Sequence, residues 1–96
     1  MYDICVIFTC KEKGAREKFV ERVKAEGILA DIKAEKGCVR YDYYFADSDE
    51  CELMLLETWE SQADQQVHLS QPHMDKLRAI KGDYITSTAI KELQYN

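Results

Sequence analysis

Between Cys38 and Glu60 the chain alternates apolar and polar residues on either side of Asp47-Ser48-Asp49, and this pattern constrains the fold more than any other. Asp and Ser satisfy backbone groups in turns, so the segment reads as two strands, Cys38 to Ala46 and Glu50 to Glu60, joined in a hairpin. With those three residues as the loop, Tyr41 lies opposite Leu55, Tyr43 opposite Leu53 and Val39 opposite Glu57. One face then carries Val39, Tyr41, Tyr43, Phe45, Leu53, Leu55, Glu57 and Trp59, and must meet a helical layer. The other carries Arg40, Asp42, Tyr44, Glu52, Met54, Leu56 and Thr58. That face holds too much Met, Leu and Tyr for free solvent, and reads as a contact between two sheets, with its charges paired across or along it.

The flanking segments complete the layer. Tyr2 to Cys10 is apolar on both alternating faces, as in a strand covered on both sides. Lys11 to Gly14 is a turn, and Lys11, Lys13, Arg16 and Lys18 read as a solvated loop and helix start. Ala15 to about Glu35 is helical in composition, with an irregularity expected at Gly27 and a stop at Gly37. Ser61 and Asp64 open a short helix whose inner face is Ala63 and Val67. Ser70 caps the next helix, Pro72 sits in its first turn, and His73, Leu77 and Ile80 share its buried stripe up to a stop at Gly82. Tyr84 to Leu93 is a fourth strand. The order strand, helix, strand, strand, helix pair, strand predicts one α+β domain over residues 1–96, a ferredoxin-like antiparallel sheet with helices on one face. Its bare sheet face predicts a homodimer, a dimeric α+β barrel.

Composition narrows the partners. With 46% hydrophobic and 32% charged residues the 96-residue chain is globular, and its formal net charge of -5 argues against nucleic acid or an anionic membrane. There is no membrane span and no basic leader, so a cytoplasmic location is expected. Cys5 and Cys10 point to opposite faces of a strand, and no CxxC pair occurs, so the four cysteines read as reduced thiols.

The chemistry concentrates between Glu57 and His73, which holds the sole Trp and Pro and both histidines. Glu57 breaks an apolar face, so it must be paired, hydrogen-bonded or protonated; it is either a base, a residue orienting a histidine, or a structural tie. Trp59 is core and a wall for a flat aromatic ligand. His68 and His73 can each serve as acid or base. Five residues apart and divided by Pro72, with no third ligand evident, they are not expected to share a metal. Tyr41, Tyr43 and Leu55 line the same cavity in this reading. No phosphate loop, dinucleotide fingerprint or nucleophile elbow is present, so no nucleotide-bound cofactor is expected.

Three segments, Glu35-Lys36-Gly37-Cys38-Val39-Arg40-Tyr41, Glu57-Thr58-Trp59-Glu60-Ser61 and His68-Leu69-Ser70-Gln71-Pro72-His73, together resemble the antibiotic biosynthesis monooxygenase family. The resemblance runs over essentially the whole chain and is strongest to the quinol monooxygenase branch. It implies a ferredoxin-like homodimer and oxidation of quinols or electron-rich phenols by O2 without flavin, haem or metal. A haem-degrading branch uses an Asn on the first strand, which is absent here. Related chains imply one alternative, a cofactor-free isomerase of a small hydroxy-dicarbonyl of the phosphorylated autoinducer-2 type; a second alternative is a non-catalytic small-molecule-binding dimer whose pocket holds an apolar ligand.

Overall fold

The computed structural model describes residues 1–94. Its elements are β1 (Tyr2–Cys10), α1 (Ala15–Ala25), α2 (Ile28–Lys33), β2 (Cys38–Phe45), β3 (Glu52–Trp59), α3 (Gln62–Leu69), α4 (Pro72–Tyr84) and β4 (Ile85–Leu93). The strands form one antiparallel sheet in the order β2-β3-β1-β4, with the helices on one face, the ferredoxin-like α+β arrangement. Alternation places every second residue of the inner strands against the helices. Ile4, Val6 and Phe8 of β1 and Leu53, Leu55 and Trp59 of β3 pack with Phe19, Val23, Ile28, Ile32, Leu77 and Ile80. Each such side chain contributes about 1.5–3 kcal/mol on burial.

The helical run after β1 is broken where Gly27 was expected to break it. Gly27 has φ 77°, a left-handed conformation that ends α1 and re-aims the chain into α2. The N-terminal cations are not all solvated, however. Arg16 turns inward, and its Nη1 donates to the carbonyls of Ala46, Asp49 and Glu52 at 2.9, 3.0 and 2.9 Å.

That contact explains the main correction to the hairpin. Tyr41 lies opposite Glu57, Tyr43 opposite Leu55 and Phe45 opposite Leu53, a shift of two residues from the expected register. Arg16 and an Asp49 turn, in which Oδ1 accepts from the Cys51 N–H at 2.9 Å, hold open a longer loop than Asp47-Ser48-Asp49. Because the side-chain period is two, the shift leaves the residues beyond the bulge, from Arg40 onward, on their expected faces, while Cys38 packs against the core in place of Val39. Two residues of the apolar face are nevertheless not covered. The register slips between Cys38 and Arg40, and Val39 is 51% exposed at that bulge; Phe45 is 49% exposed at the sheet corner, beneath the Arg16 guanidinium.

The second helix pair also departs from expectation. Ser61 caps α3 as predicted, its Oγ accepting from the Asp64 N–H at 3.1 Å. The inner face of α3 is Gln65 and His68, while Ala63 is exposed and Val67 is 57% exposed. Ser70 does not cap α4; its Oγ donates to the Val67 carbonyl, and Gln71 takes the cap position before Pro72. The buried stripe of α4 is Met74, Leu77 and Ile80, with His73 at its edge. Gly82 does not stop α4, because it keeps a right-handed conformation and the helix runs on to Tyr84.

The sheet face away from the helices is only partly covered. Cys5, Ile7, Met54 and Leu56 are half-buried there and Tyr44 is exposed. Arg40 meets Asp42 along the same strand, Nε to Oδ2 3.6 Å. All four cysteines are free, with Cys10 buried and the other three half-buried. No helix among the described residues is long and apolar enough to cross a membrane.

Candidate active site

Gly37 brings one carboxylate to the site. Its φ of 82° turns the chain from α2 into β2, and a Cβ there would collide with the side chain of Asp64 in the first turn of α3. The absence of a side chain lets α3 lie directly on this turn. The carbonyl of Gly37 also accepts from the Glu60 N–H at 2.8 Å, tying the turn to the end of β3. Glu35, two residues before Gly37, is thereby brought against α3 and the start of α4.

There it meets both histidines. Glu35 Oε2 lies 2.9 Å from His68 Nδ1 and 2.7 Å from His73 Nε2. A carboxylate oxygen accepting from both rings fixes His68 with its proton on Nδ1 and leaves Nε2 as that ring's acceptor. His68 is only 1% exposed. The Trp59 ring packs on it with centroids 4.6 Å apart, and the Tyr41 ring meets it at 5.7 Å with planes at 64°. Burial pulls the His68 imidazole below its ordinary value, and the Glu35 hydrogen bond opposes that shift. The neutral ring, a competent base, is therefore favoured near neutral pH.

Glu57 is bonded to neither histidine. Its Oε1 accepts from Trp59 Nε1 at 3.0 Å. Burial pushes its carboxyl up to about 7; the Trp59 hydrogen bond opposes this and the Glu35 charge adds to it. A group poised there can give or take a proton under ordinary conditions.

A cavity of about 220 Å³ lies between the sheet and the α3–α4 layer. Ile4, Val6, Leu55, Glu57, Tyr41 and Tyr43 line it from the sheet, and Gln65, His68, Leu77, Arg78 and Lys81 from the helices. Tyr2, Thr88 and Ile90 form its β1–β4 side, where Ile90 is exposed. Five residues singled out from sequence thus line one cavity: Glu57, Tyr41, Tyr43 and Leu55 from the sheet and His68 from the helices. Trp59 and His73 stand behind it, Trp59 backing the His68 ring and His73 holding Glu35 from the outer side.

Three contributors escape sequence reasoning. Gln65 and Lys81 had a usable signal, since each lies on the same helical face as a residue already in view, Gln65 with His68 and Lys81 with Leu77. Glu35 opens one of the segments that carry the family resemblance, but nothing local connects it to residues 33 and 38 positions away, so no site role followed from it. It also corrects the expectation that no third ligand would join the histidines. Glu35 Oε2 and the two ring nitrogens lie within 4.8 Å of one another, a donor set able to hold a metal ion.

Residues 4–79 match the antibiotic biosynthesis monooxygenase family. The chain belongs to that family. Among solved structures it is similar to a candidate antibiotic biosynthesis monooxygenase from Nitrosomonas europaea, at 20% identity and a TM-score of 0.83 over 99% of this chain and 98% of that one. It is similar to Rv0793 from Mycobacterium tuberculosis at 26% identity and a TM-score of 0.78, over 99% and 94% of the two chains. It is similar to PA3566 from Pseudomonas aeruginosa at 20% identity and a TM-score of 0.81, over 99% and 93%. The likenesses at 20% identity establish the shared fold. None of the curated protein sequences matches this chain.

Proposed function

We propose that this family member is a cofactor-independent monooxygenase that oxidises quinols or related electron-rich phenols with O2. The observation that carries the reading is His68, a buried neutral imidazole on the cavity wall, held through Nδ1 by Glu35. Its Nε2 takes the phenolic proton of a substrate lying over Ile4, Val6 and Leu55. The phenolate gives one electron to O2, and the substrate radical and superoxide combine in a carbon–oxygen bond. The O–O bond of the peroxide then breaks. One oxygen stays on carbon as a carbonyl; the other leaves as water with the two hydrogens lost by the substrate. Glu57, protonated below about 7, is placed to protonate the departing hydroxide. Glu35 and His73 are positioning residues, and Trp59 keeps the His68 ring in plane. The apolar wall excludes water from the peroxide.

Oxygen uptake with a panel of quinols tests this. Protein freed of metal by a chelator is expected to turn over at the untreated rate, with equal amounts of O2 consumed and product formed. Equal rates with and without O2 would remove the oxygenase and favour an isomerase. Activity lost to the chelator and restored by a divalent ion would move the chemistry to a metal on Glu35, His68 and His73.

The assembly belongs to the same proposal. Half-buried Cys5, Ile7, Met54 and Leu56 support a homodimer through the open sheet face. The native mass is expected at twice the chain mass of 11.2 kDa, and Leu56→Lys is expected to give monomer in light scattering. A monomeric wild type would end the dimer reading. The four free thiols suit the reducing cytoplasm.

A further inference from the structure

We propose that the cavity contains a seat for one anionic oxygen, formed by the Lys81 ammonium and the Tyr43 hydroxyl, so that the ligand is a flat aromatic compound carrying a carboxylate or phenolate. The proposal rests on the reading of the cavity as an aromatic substrate site, and names the class of substrate.

Lys81 is the first reason. It lines the cavity half-buried, with Nζ 5.1 Å from the centroid of the Phe8 ring, instead of extending its head into water. It forms no ion pair among the described residues. An ammonium half-withdrawn from water with only the face of the Phe8 ring against it, and no ion pair or hydrogen bond among the described residues, is a costly arrangement that an arriving anion relieves. Arg78, one turn earlier, also lines the cavity but is already engaged, with Asp75 Oδ1 at 3.0 Å and the Leu69 carbonyl at 2.6 Å. Lys81 is therefore the cation with free hydrogen-bonding capacity.

Tyr43 is the second, independent reason. Its Oη is a buried side-chain polar atom with no well-formed hydrogen bond among the described residues, only the Tyr41 hydroxyl lying beside it, and its ring lines the same cavity. Native proteins rarely leave such an atom unsatisfied unless a ligand or water completes it. The two groups belong to one aromatic floor. Phe19 packs against Tyr43 with centroids 5.9 Å apart and against Phe8, beneath Lys81, at 6.0 Å.

The remaining wall agrees in charge. Glu57 is the one carboxyl lining the cavity among the described residues, and burial keeps it mostly protonated up to about 7. Burial favours neutral His68, and it holds the protons on Tyr41 and Tyr43. Near pH 6.5 the ligand thus meets the free Lys81 charge and hydroxyl donors, with Glu57 mostly protonated. A volume of about 220 Å³ lies below the roughly 300–1,000 Å³ of drug-sized sites, which limits the ligand to a few fused rings.

Calorimetric titration of the full chain at pH 6.5 with 2-naphthoate and its neutral isostere 2-naphthamide tests the seat. Wild type is expected to bind naphthoate at least about ten-fold more tightly. Lys81→Met is expected to abolish that preference, Lys81→Arg to retain most of it, and Tyr43→Phe to weaken naphthoate several-fold and naphthamide, whose oxygen accepts more weakly, by less. Equal wild-type affinities, binding of neither compound, or a preference that survives Lys81→Met would each overturn the proposal. The comparison of the two ligands on wild type needs no variant to fold. The titration involves no O2, so the two readings can fail separately. Naphthoate selectivity without quinol turnover leaves the seat standing and removes the oxygenase; quinol turnover without naphthoate preference does the reverse.

Discussion

His68→Gln is expected to lower kcat/KM on a quinol by roughly 10²–10⁴-fold, the usual worth of a positioned general base. Glutamine keeps much of the ring's volume beneath Trp59 and can still bond Glu35, so circular dichroism and the unfolding midpoint should change little. Glu35→Gln should cost at least about ten-fold in kcat, because an amide no longer dictates which nitrogen of His68 carries the proton. His73→Ala should cost less, since it removes one of two bonds to Glu35 and leaves the His68 contact in place. Full activity in His68→Gln would dismiss His68 as the base. The same roles set the pH profile. Activity requires neutral His68, whose value lies below the usual 6.5, and protonated Glu57, whose value is about 7. The rate against pH should therefore peak on the slightly acidic side and fall above about 7. Glu57→Gln should remove the alkaline limb along with most of the rate.

Trp59→Ala is expected to destabilise the fold by about 3–5 kcal/mol, measured by denaturant titration. Trp59 is fully buried between the sheet and His68, so its loss leaves a large void. It also strips Glu57 of its hydrogen-bond donor within the core. Trp59→Phe fills most of the space but still removes that donor, and should cost about 1–3 kcal/mol. A loss below 1 kcal/mol for the alanine variant would show that the ring is not the keystone of this layer. Glu57 adds a pH term of definite sign. Its folded value, about 7, lies above the ordinary 4.5, so the fold favours the protonated form. The Glu57 contribution to stability is fully present at low pH and is lost as pH rises from 4.5 through about 7. Glu57→Gln, which cannot ionise, should gain on wild type by about 2–3 kcal/mol between pH 5 and pH 8.

Much of the fold was readable because its causes are local. From Arg40 onward, alternation in the hairpin assigned residues to faces correctly even though the register moved by two, since a shift of two leaves the faces intact; the bulge at Val39 broke the pattern before it. Ser61 and Asp64 announced the start of α3, and Gly27 the break before α2. The errors arose where distant contacts override local preference. Arg16, on α1, lengthened a loop that Asp47-Ser48-Asp49 would have closed more tightly. Val67 was assigned inward on hydrophobicity, whereas α3 turns Gln65 and His68 inward, with His68 on Glu35. Gly82 stayed helical because nothing at that position required a left-handed turn.

The chain's periodicities and turn residues determined the element order and the two faces of the sheet, and the resemblance of three short segments pointed to the family, because each depends on neighbours a few residues apart. The site depended on the return of the helix layer over the sheet. Only that packing placed Glu35 against His68 and His73, set Glu57 on Trp59 instead of a histidine, and brought Lys81 and Tyr43 to one cavity. Contacts across 33 and 38 residues leave no periodic trace, because they are selected by how the completed layers fit together.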